Sequence, residues 1–319
     1  MAANPRVAVV VPVFNKIDLT VRFLESFKNV TYANHTMIIV DDGSTDGTEK
    51  TLRESYPHVV TLKGDGTLWW AGGTNLGVRY ALAHGFDYVL TINNDTLVSP
   101  DFLMRLVNTA RANPDSIVGS RINYLEDPTK VWAVGGIVEW SLGVVFQLRW
   151  CGIQEGEMLA AETSPSLVAV LTGCGTLIPA QCFEDAGLYD AENYPQYHAD
   201  SEFVLRAGQH GYRALVDIDA LIWNDAKNTS KVKKGTFRSL FSMRSPYYWR
   251  PLVTSHMRYC PREHRFSSLR RQYPSMCPWL GGLADCLLFA KLLARKVTGN
   301  YGNNVERPER TEAEHRLSA

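Results

Sequence analysis

Three strand-like runs in this chain stop at side chains that carry oxygen. Tyr88-Val-Leu-Thr-Ile-Asn-Asn-Asp95 ends in a carboxylate flanked by amides, Val7-Ala-Val-Val-Val-Pro-Val-Phe-Asn15 ends in an amide, and Met37-Ile-Ile-Val40 runs into Asp41-Asp42-Gly43-Ser44. Hard oxygen donors at the C-terminal edge of a buried sheet lie where open α/β folds bind their ligands. The three ends are therefore expected to converge on one polar site.

The elements that must carry these ends alternate along the first third of the chain. Leu19, Phe23, Leu24 and Phe27 fall at helical spacing. Further helices are expected over 49–55, over 75–84 with Gly85 ending it, and from Ser99-Pro100-Asp101 to Asn113. Strands are expected at 37–40, 59–62 and 88–92, and the alternation predicts a parallel sheet with right-handed crossovers. Beyond residue 115 the strands shorten, with runs at 117–119, 132–134, 167–172, 214–216 and 220–223 and helices at 179–186 and 200–210. Loops as long as those between them usually carry function.

A chain of 319 residues with 45% apolar content can fill one large or two ordinary domains. Its zero net charge conceals a split: residues 1–226 hold 15 Lys/Arg against 27 Asp/Glu, whereas 227–298 hold 15 against 2. An acidic body with a basic C-terminal segment predicts that the segment meets phosphates. No nucleic-acid-binding module accompanies it, so nucleic acid is not the expected partner. The six cysteines form no C-x-x-C pair, which points to reduced thiols in the cytoplasm and away from zinc or redox chemistry. The N-terminus lacks a charged lead and apolar core of the secretory kind. Residues 276–297 form an apolar helix interrupted by Asp285 and Lys291, too short and too charged to span a membrane comfortably. Lying on the inner face of a membrane, with Trp279 and Arg295-Lys296 as anchors, suits it better, a core or homodimer helix being the alternative.

Four strings in order, Val9-Val-Val-Pro-Val-Phe-Asn15, Val40-Asp-Asp-Gly-Ser-Thr-Asp-Gly47, Asn93-Asn-Asp95 and Asp200-Ser-Glu202 with Arg206, resemble the inverting family 2 glycosyltransferases of GT-A fold. The resemblance covers residues 5–225 and implies an α/β fold, a nucleotide-diphospho-sugar transferase-like mixed central sheet flanked by helices. It divides the chain into a GT-A domain at 1–230, with a nucleotide-sugar half at 5–97 and an acceptor half at 98–230. A basic helical extension at 231–299 and a disordered tail at 300–319 follow.

Sugar transfer from a nucleotide diphosphate requires holding the base, neutralising the departing diphosphate and taking a proton from the acceptor hydroxyl. The resemblance implies that Pro12, Val13, Phe14 and Asn15 line the nucleotide with Asn93 and Asn94, and that Asp42 accepts a hydrogen bond from base or ribose. The plain alternative for Asp41 and Asp42 is a turn carboxylate, and Asp46 is read as a helix cap. Asp95 matches the last position of the family's D-x-D motif, where Mg²⁺ or Mn²⁺ bridges the diphosphate. Asn93 in the first position leaves one charge where two are common, so the ion is expected to arrive with the nucleotide. Asn224 stands where relatives commonly carry His; its carbonyl oxygen, or the stronger Asp225, completes the metal shell in this reading. Asp200 corresponds to the general base, with an N-cap as its alternative. Glu202 cannot share its helix face and orients loop groups or acceptor hydroxyls.

In Gly64-Asp-Gly-Thr-Leu-Trp-Trp-Ala-Gly-Gly-Thr-Asn-Leu-Gly77, the glycines free the backbone to approach a ligand and Trp69 and Trp70 offer stacking faces. Similar strings occur in the rhamnosyltransferase branch, which implies that Asp65 touches the nucleotide and Asn75 opens the next helix beside it. Thr74 departs from the Arg found in many relatives. Gly173 and Cys174, with Trp132, look like acceptor-side residues. Lys227, Lys231, Lys233, Lys234 and Arg238 form a loop that closes over a phosphate or else a solvated charge run. The expected function is transfer of a sugar, dTDP-L-rhamnose being the first donor to test, to a hydroxyl of a glycan or lipid-linked acceptor in surface polysaccharide or cell-wall biosynthesis. The alternative is a non-catalytic nucleotide-binding scaffold of the same fold, against which Asp95, Asp200 and Glu202 stand. A dehydrogenase is excluded because no G-x-G-x-x-G follows the first strand.

Overall fold

The computed structural model describes residues 4–228 and 237–276. Strands β1 (Val7–Val13), β2 (His35–Asp41), β3 (Val60–Lys63) and β4 (Tyr88–Thr91) pair in parallel, in the spatial order β3-β2-β1-β4. Between them run α1 (Ile17–Phe27), α2 (Thr48–Ser55) and α3 (Trp69–Ala83). β1 is apolar at every position because both its faces are covered. Val7, Val9 and Val11 point into a core with Phe23, Phe27 and Phe102, while Ala8 and Val10 point into one with Ala71, Val78 and Ala81.

The parallel sheet expected of the first part of the chain runs through β4, and beyond it the sheet is mixed, as the resemblance implied. After β5 (Thr96–Val98), α4 (Phe102–Ala112), β6 (Ser116–Tyr124), β7 (Val131–Ala133), the hairpin β8 (Gly136–Glu139) and β9 (Val144–Leu148), α5 (Glu155–Ala161) and β10 (Ser166–Val168), strand β11 (Thr176–Pro179) enters antiparallel between β4 and β6. Helices α6 (Ala180–Ala186) and α7 (Ala199–Gln209) lead to β12 (Arg213–Asn224), which runs parallel to β6 and antiparallel to β5 and β10. The result is a mixed sheet flanked by helices, the GT-A arrangement.

Two differences from expectation have clear causes. The runs at 214–216 and 220–223 are one strand with a bulge between Asp217 and Leu221. There the Asp217 carboxylate takes the N–H groups of Asp219 and Ala220 at 3.0 and 3.3 Å, replacing ladder bonds. Helix α3 starts at Trp69, not Asn75, so Gly72 and Gly73 belong to a helix instead of a ligand loop. A Cβ at Gly77 would overlap Cγ1 of Val10, so the glycine lets helix and strand touch.

Three helices end the described chain: α8 (Phe237–Phe241), α9 (Trp249–Tyr259) and α10 (Arg265–Met276). Helix α9 packs on α7, and α10 packs on the 3₁₀ turn Trp140–Leu142 that joins β8 to β9. Residues 277–297 of the expected surface helix, Lys231, Lys233 and Lys234, and the tail lie outside the described residues. Among the described residues no helix is long and apolar enough to cross a membrane.

Candidate active site

The parallel register brings the three polar strand ends side by side. Val13 pairs with Asp41, and the Asp42 N–H donates to the Val13 carbonyl at 2.9 Å. Asn15 and Lys16 both take left-handed backbone (φ 57° and 58°), a conformation that costs a non-glycine residue free energy and clusters at functional sites. It is held by Asn15 N–H donating to Ser44 Oγ at 2.7 Å and by Asn15 Oδ1 accepting from Thr45 N–H at 2.9 Å. Phe14 is 54% exposed at this edge, with Pro12 half-buried and Val13 buried behind it.

The carboxylates of the second strand end serve the loops. Asp41 accepts from Ser44 N–H at 2.9 Å. Asp42, buried, takes three N–H groups: Gly66 at 2.8 Å on one oxygen, Leu68 at 3.0 Å and Trp69 at 3.2 Å on the other. It thereby caps α3 and fixes the glycine loop. Asp46 caps α2 through Thr48 and also receives Ile17 N–H at 2.9 Å; burial opposes its ionisation, but these bonds hold its carboxyl below the usual range. Asp65 is exposed at the loop tip and bonded to Thr67. Asn75 is not at a helix start: it is buried within α3, where its amide donates to the Tyr189 carbonyl at 2.8 Å and accepts from Tyr189 N–H at 3.0 Å. Both ends of that amide are spent on the 188–190 turn.

Trp70 connects the donor edge to the acceptor side. Its Nε1–H donates to Asn93 Oδ1 at 2.9 Å and its ring meets Tyr189 edge-on at 5.3 Å. A Cβ at Gly173 would overlap this indole, so only glycine lets the 172–175 turn lie against it. The N–H of the same Gly173 donates to Asp200 Oδ2 at 2.6 Å, and Ser201 N–H donates to Oδ1 at 2.8 Å. Asn93, Trp70, Gly173 and Asp200 thus form one continuous path. Burial raises the Asp200 carboxyl above its ordinary range, against the pull of those N–H groups and of His198. His198, in left-handed backbone (φ 67°), bonds through Nε2 to the Pro246 carbonyl at 2.8 Å and stacks on Phe146. Burial lowers its pKa, against the nearby negative Asp200.

Asp95 is treated differently. Asn94 donates to Thr20 Oγ1 at 2.9 Å, but Asp95 Oδ1 is sealed from solvent and has no hydrogen-bond partner. Burial, reinforced by the nearby negative Asp225, raises its carboxyl to about 6, despite help from Lys16 and Arg22. Asn224, buried, pairs with Thr96 across β12 and β5, and the Asp225 N–H donates to the Asp95 carbonyl at 2.9 Å. Among the described residues no three His, Cys, Asp or Glu side chains form a self-sufficient ion cage. An orphaned buried carboxylate oxygen beside a second carboxylate nevertheless fits a divalent ion whose remaining ligands come from a diphosphate.

The other expected acceptor-side residues separate. Cys174 lies behind the site, its thiol 3.0 Å from Thr96 Oγ1 and pushed by burial up to about 12, so it stays a thiol. Trp132 is half-buried against the α1/α4 core. Glu202 is fully buried, accepting from Tyr259 OH at 2.5 Å and from Arg206 at 3.1 Å, with Arg258 at 3.5 Å. These partners lie on α9 and α7, so the carboxylate ties the two helices together. His198, Tyr189, Arg22 and Tyr259 were missed from the sequence. Only His198, two residues before Asp200, carried a local signal.

A mixed sheet with this strand order and polar strand ends is the GT-A fold. The sequence profile of the family described as Glycosyl transferase family 2 matches residues 8–158. It is 24% identical over 224 residues to an uncharacterised protein of Mycobacterium tuberculosis (strain H37Rv), spanning 67% of this chain and 75% of that one. It is 31% identical over 135 residues, 38% of each chain, to an undecaprenyl-phosphate 4-deoxy-4-formamido-L-arabinose transferase of Proteus mirabilis. To a UDP-N-acetylglucosamine–dolichyl-phosphate N-acetylglucosaminyltransferase of Methanococcus voltae it is 25% identical over 136 residues, 38% of this chain and 53% of that one. The profile match and the names of these relatives support glycosyl transfer.

Proposed function

We propose that the chain is an inverting glycosyltransferase in which Asp200 is the general base. The observation that carries this reading is the half-buried Asp200 carboxylate, gripped by two backbone N–H groups and linked through Gly173 and Trp70 to Asn93 at the donor edge. A carboxylate so fixed, with its pKa raised toward the working pH, takes the acceptor proton as the hydroxyl attacks the anomeric carbon opposite the diphosphate. One carboxylate on the acceptor side and no covalent intermediate give inversion. Phe14, Asn15 and Asn93, with Asp65 at the loop tip, line the nucleotide; Asp42 acts by holding the 64–69 loop. Asp95, Asn224 and Asp225 would hold Mg²⁺ or Mn²⁺, which when bound neutralises charge building on the departing diphosphate.

The donor to test first is dTDP-L-rhamnose, on the likeness of the Leu68-Trp69-Trp70 string to that branch. A lipid-linked acceptor is supported by the polyprenyl-phosphate substrates in the names of two relatives and by the 15-to-2 excess of basic residues at 227–298. That segment would rest on the anionic inner face of a membrane. The deciding experiment pairs a transfer assay with nucleotide binding in Asp200→Asn. Loss of transfer with binding kept is the expected result, and normal turnover would remove Asp200 from the mechanism.

A further inference from the structure

Arg22 on α1 meets Asp225, 203 residues away, through Nη2 and Oδ2 at 2.8 Å. The Asp225 backbone in turn bonds to Asp95 at 2.9 Å, so the two carboxylates stand on neighbouring backbone. They are unequally served: Asp225 has a cation, whereas Asp95 Oδ1 has no partner. The ion pair is also lopsided toward solvent, the Arg22 side chain being 40% exposed and that of Asp225 14%. A long basic side chain at such a position can leave for another anion at small cost, while the carboxylate stays in place.

We propose that Arg22 is a resident counter-ion that occupies Asp225 until a nucleotide diphosphate arrives, so that divalent ion and diphosphate enter the site as a coupled pair. The inference rests on the reading of Asp95 and Asp225 as ion ligands. A divalent ion entering alone must displace the guanidinium from Asp225 and leave it without an anion. With a diphosphate present, the planar guanidinium has a phosphate to grip, the fork geometry for which it is suited. The release of Asp225 then costs little, and each ligand raises the affinity of the other by the same factor. This accounts for a site of low formal charge, with Asn93 and Asn224 where charged or imidazole ligands are common, that nonetheless retains Asp225.

The test measures Mn²⁺ binding by electron paramagnetic resonance of the free ion, at fixed ionic strength, with and without dTDP and, in a parallel arm, UDP. The full-length wild type is compared with Arg22→Gln, Arg22→Lys, Asp225→Asn and the Arg22→Gln/Asp225→Asn double variant. Nucleotide is expected to tighten Mn²⁺ about tenfold in the wild type, and Arg22→Gln to raise nucleotide-free affinity several-fold while shrinking the coupling by the same factor. Arg22→Lys should stay near wild type and the double variant should lose the gain. Equal nucleotide-free affinity and equal coupling in wild type and Arg22→Gln would overturn the proposal while leaving the ion site standing. Absence of Mn²⁺ binding in the folded wild type with either nucleotide would instead remove the ion-site reading, and the proposal with it. Thermal midpoints show whether each variant is folded.

Discussion

Asp95 and Asp200 are both half-buried residues whose ionisation the fold opposes, yet the protein treats them in opposite ways. Asp200 receives two backbone N–H groups and an imidazole neighbour. Asp95 is left with a sealed, unpartnered oxygen and a second carboxylate nearby. The first site is complete before any ligand arrives; the second is built to be completed by one. A base must be preorganised to act on a bound hydroxyl, whereas an ion ligand gains affinity from whatever charge the fold has left unpaired.

The largest expected effect breaks the complete half. Asp200→Asn should lower transfer by about 10²–10⁴-fold, the usual span for losing a general base, with nucleotide binding unchanged. Because burial raises the Asp200 carboxyl, wild-type kcat/KM should fall on the acid side at a pH above the ordinary carboxylate range. A pH–rate profile flat through that region would show that the group is not the base.

Glu202, two residues on, is a third carboxylate and sharpens the contrast because it is satisfied wholly by side chains. Tyr259, Arg206 and Arg258 converge on it, Arg258 also pairing with Asp190 at 2.7 Å. Glu202→Gln leaves Arg206 without its charge partner and Arg258 with Asp190 alone, and should cost about 3 kcal/mol of stability, the low end for a broken buried pair, since Arg258 keeps Asp190 and reaches solvent. Urea unfolding measures it. Loss of turnover with unchanged stability would return Glu202 to the acceptor.

Asp95→Asn should do the reverse. A folded-state pKa near 6 against an unfolded value near 4 means that the folded chain holds the proton more tightly, so wild-type stability falls as pH rises from about 4 to 6 and is flat above. Removing the charge should therefore stabilise the fold by about 2 kcal/mol at neutral pH and abolish that slope. Mn²⁺-dependent nucleotide binding should be lost at the same time. Thermal midpoints against pH test the first statement, and a variant with the wild-type slope would refute it.

How much of this was legible follows from the range over which each feature is determined. The β1 run and the polar ends at Asn15, Asp42 and Asp95 are local consequences of strands buried on both faces, and sequence alone located them. Helix α3 starts earlier than expected because Gly72 and Gly73 read as a flexible loop, whereas Gly73 is small for packing against Pro12 of β1. The Asp217 bulge reads as a break because a carboxylate replaces ladder bonds there. Nothing local announces Arg22 against Asp225 or Tyr259 against Glu202. Those pairs arise from the order of strands and the docking of α9, over 203 and 57 residues.

The smallest effect lies on the path joining the two halves. Trp70→Phe keeps a ring against Gly173 and Tyr189 but removes the N–H that Asn93 Oδ1 accepts at 2.9 Å. One neutral hydrogen bond is worth about 1 kcal/mol, so donor KM should rise by about fivefold if Asn93 is thereby loosened at the donor edge. Asp200 keeps both its N–H donors in that variant, so kcat at saturating donor and the acid limb of the pH profile should not move. A change in kcat with unchanged donor KM would mean that Trp70 serves the base through Gly173 and not the donor through Asn93. The two carboxylate sites would then be coupled through the indole instead of being independently prepared.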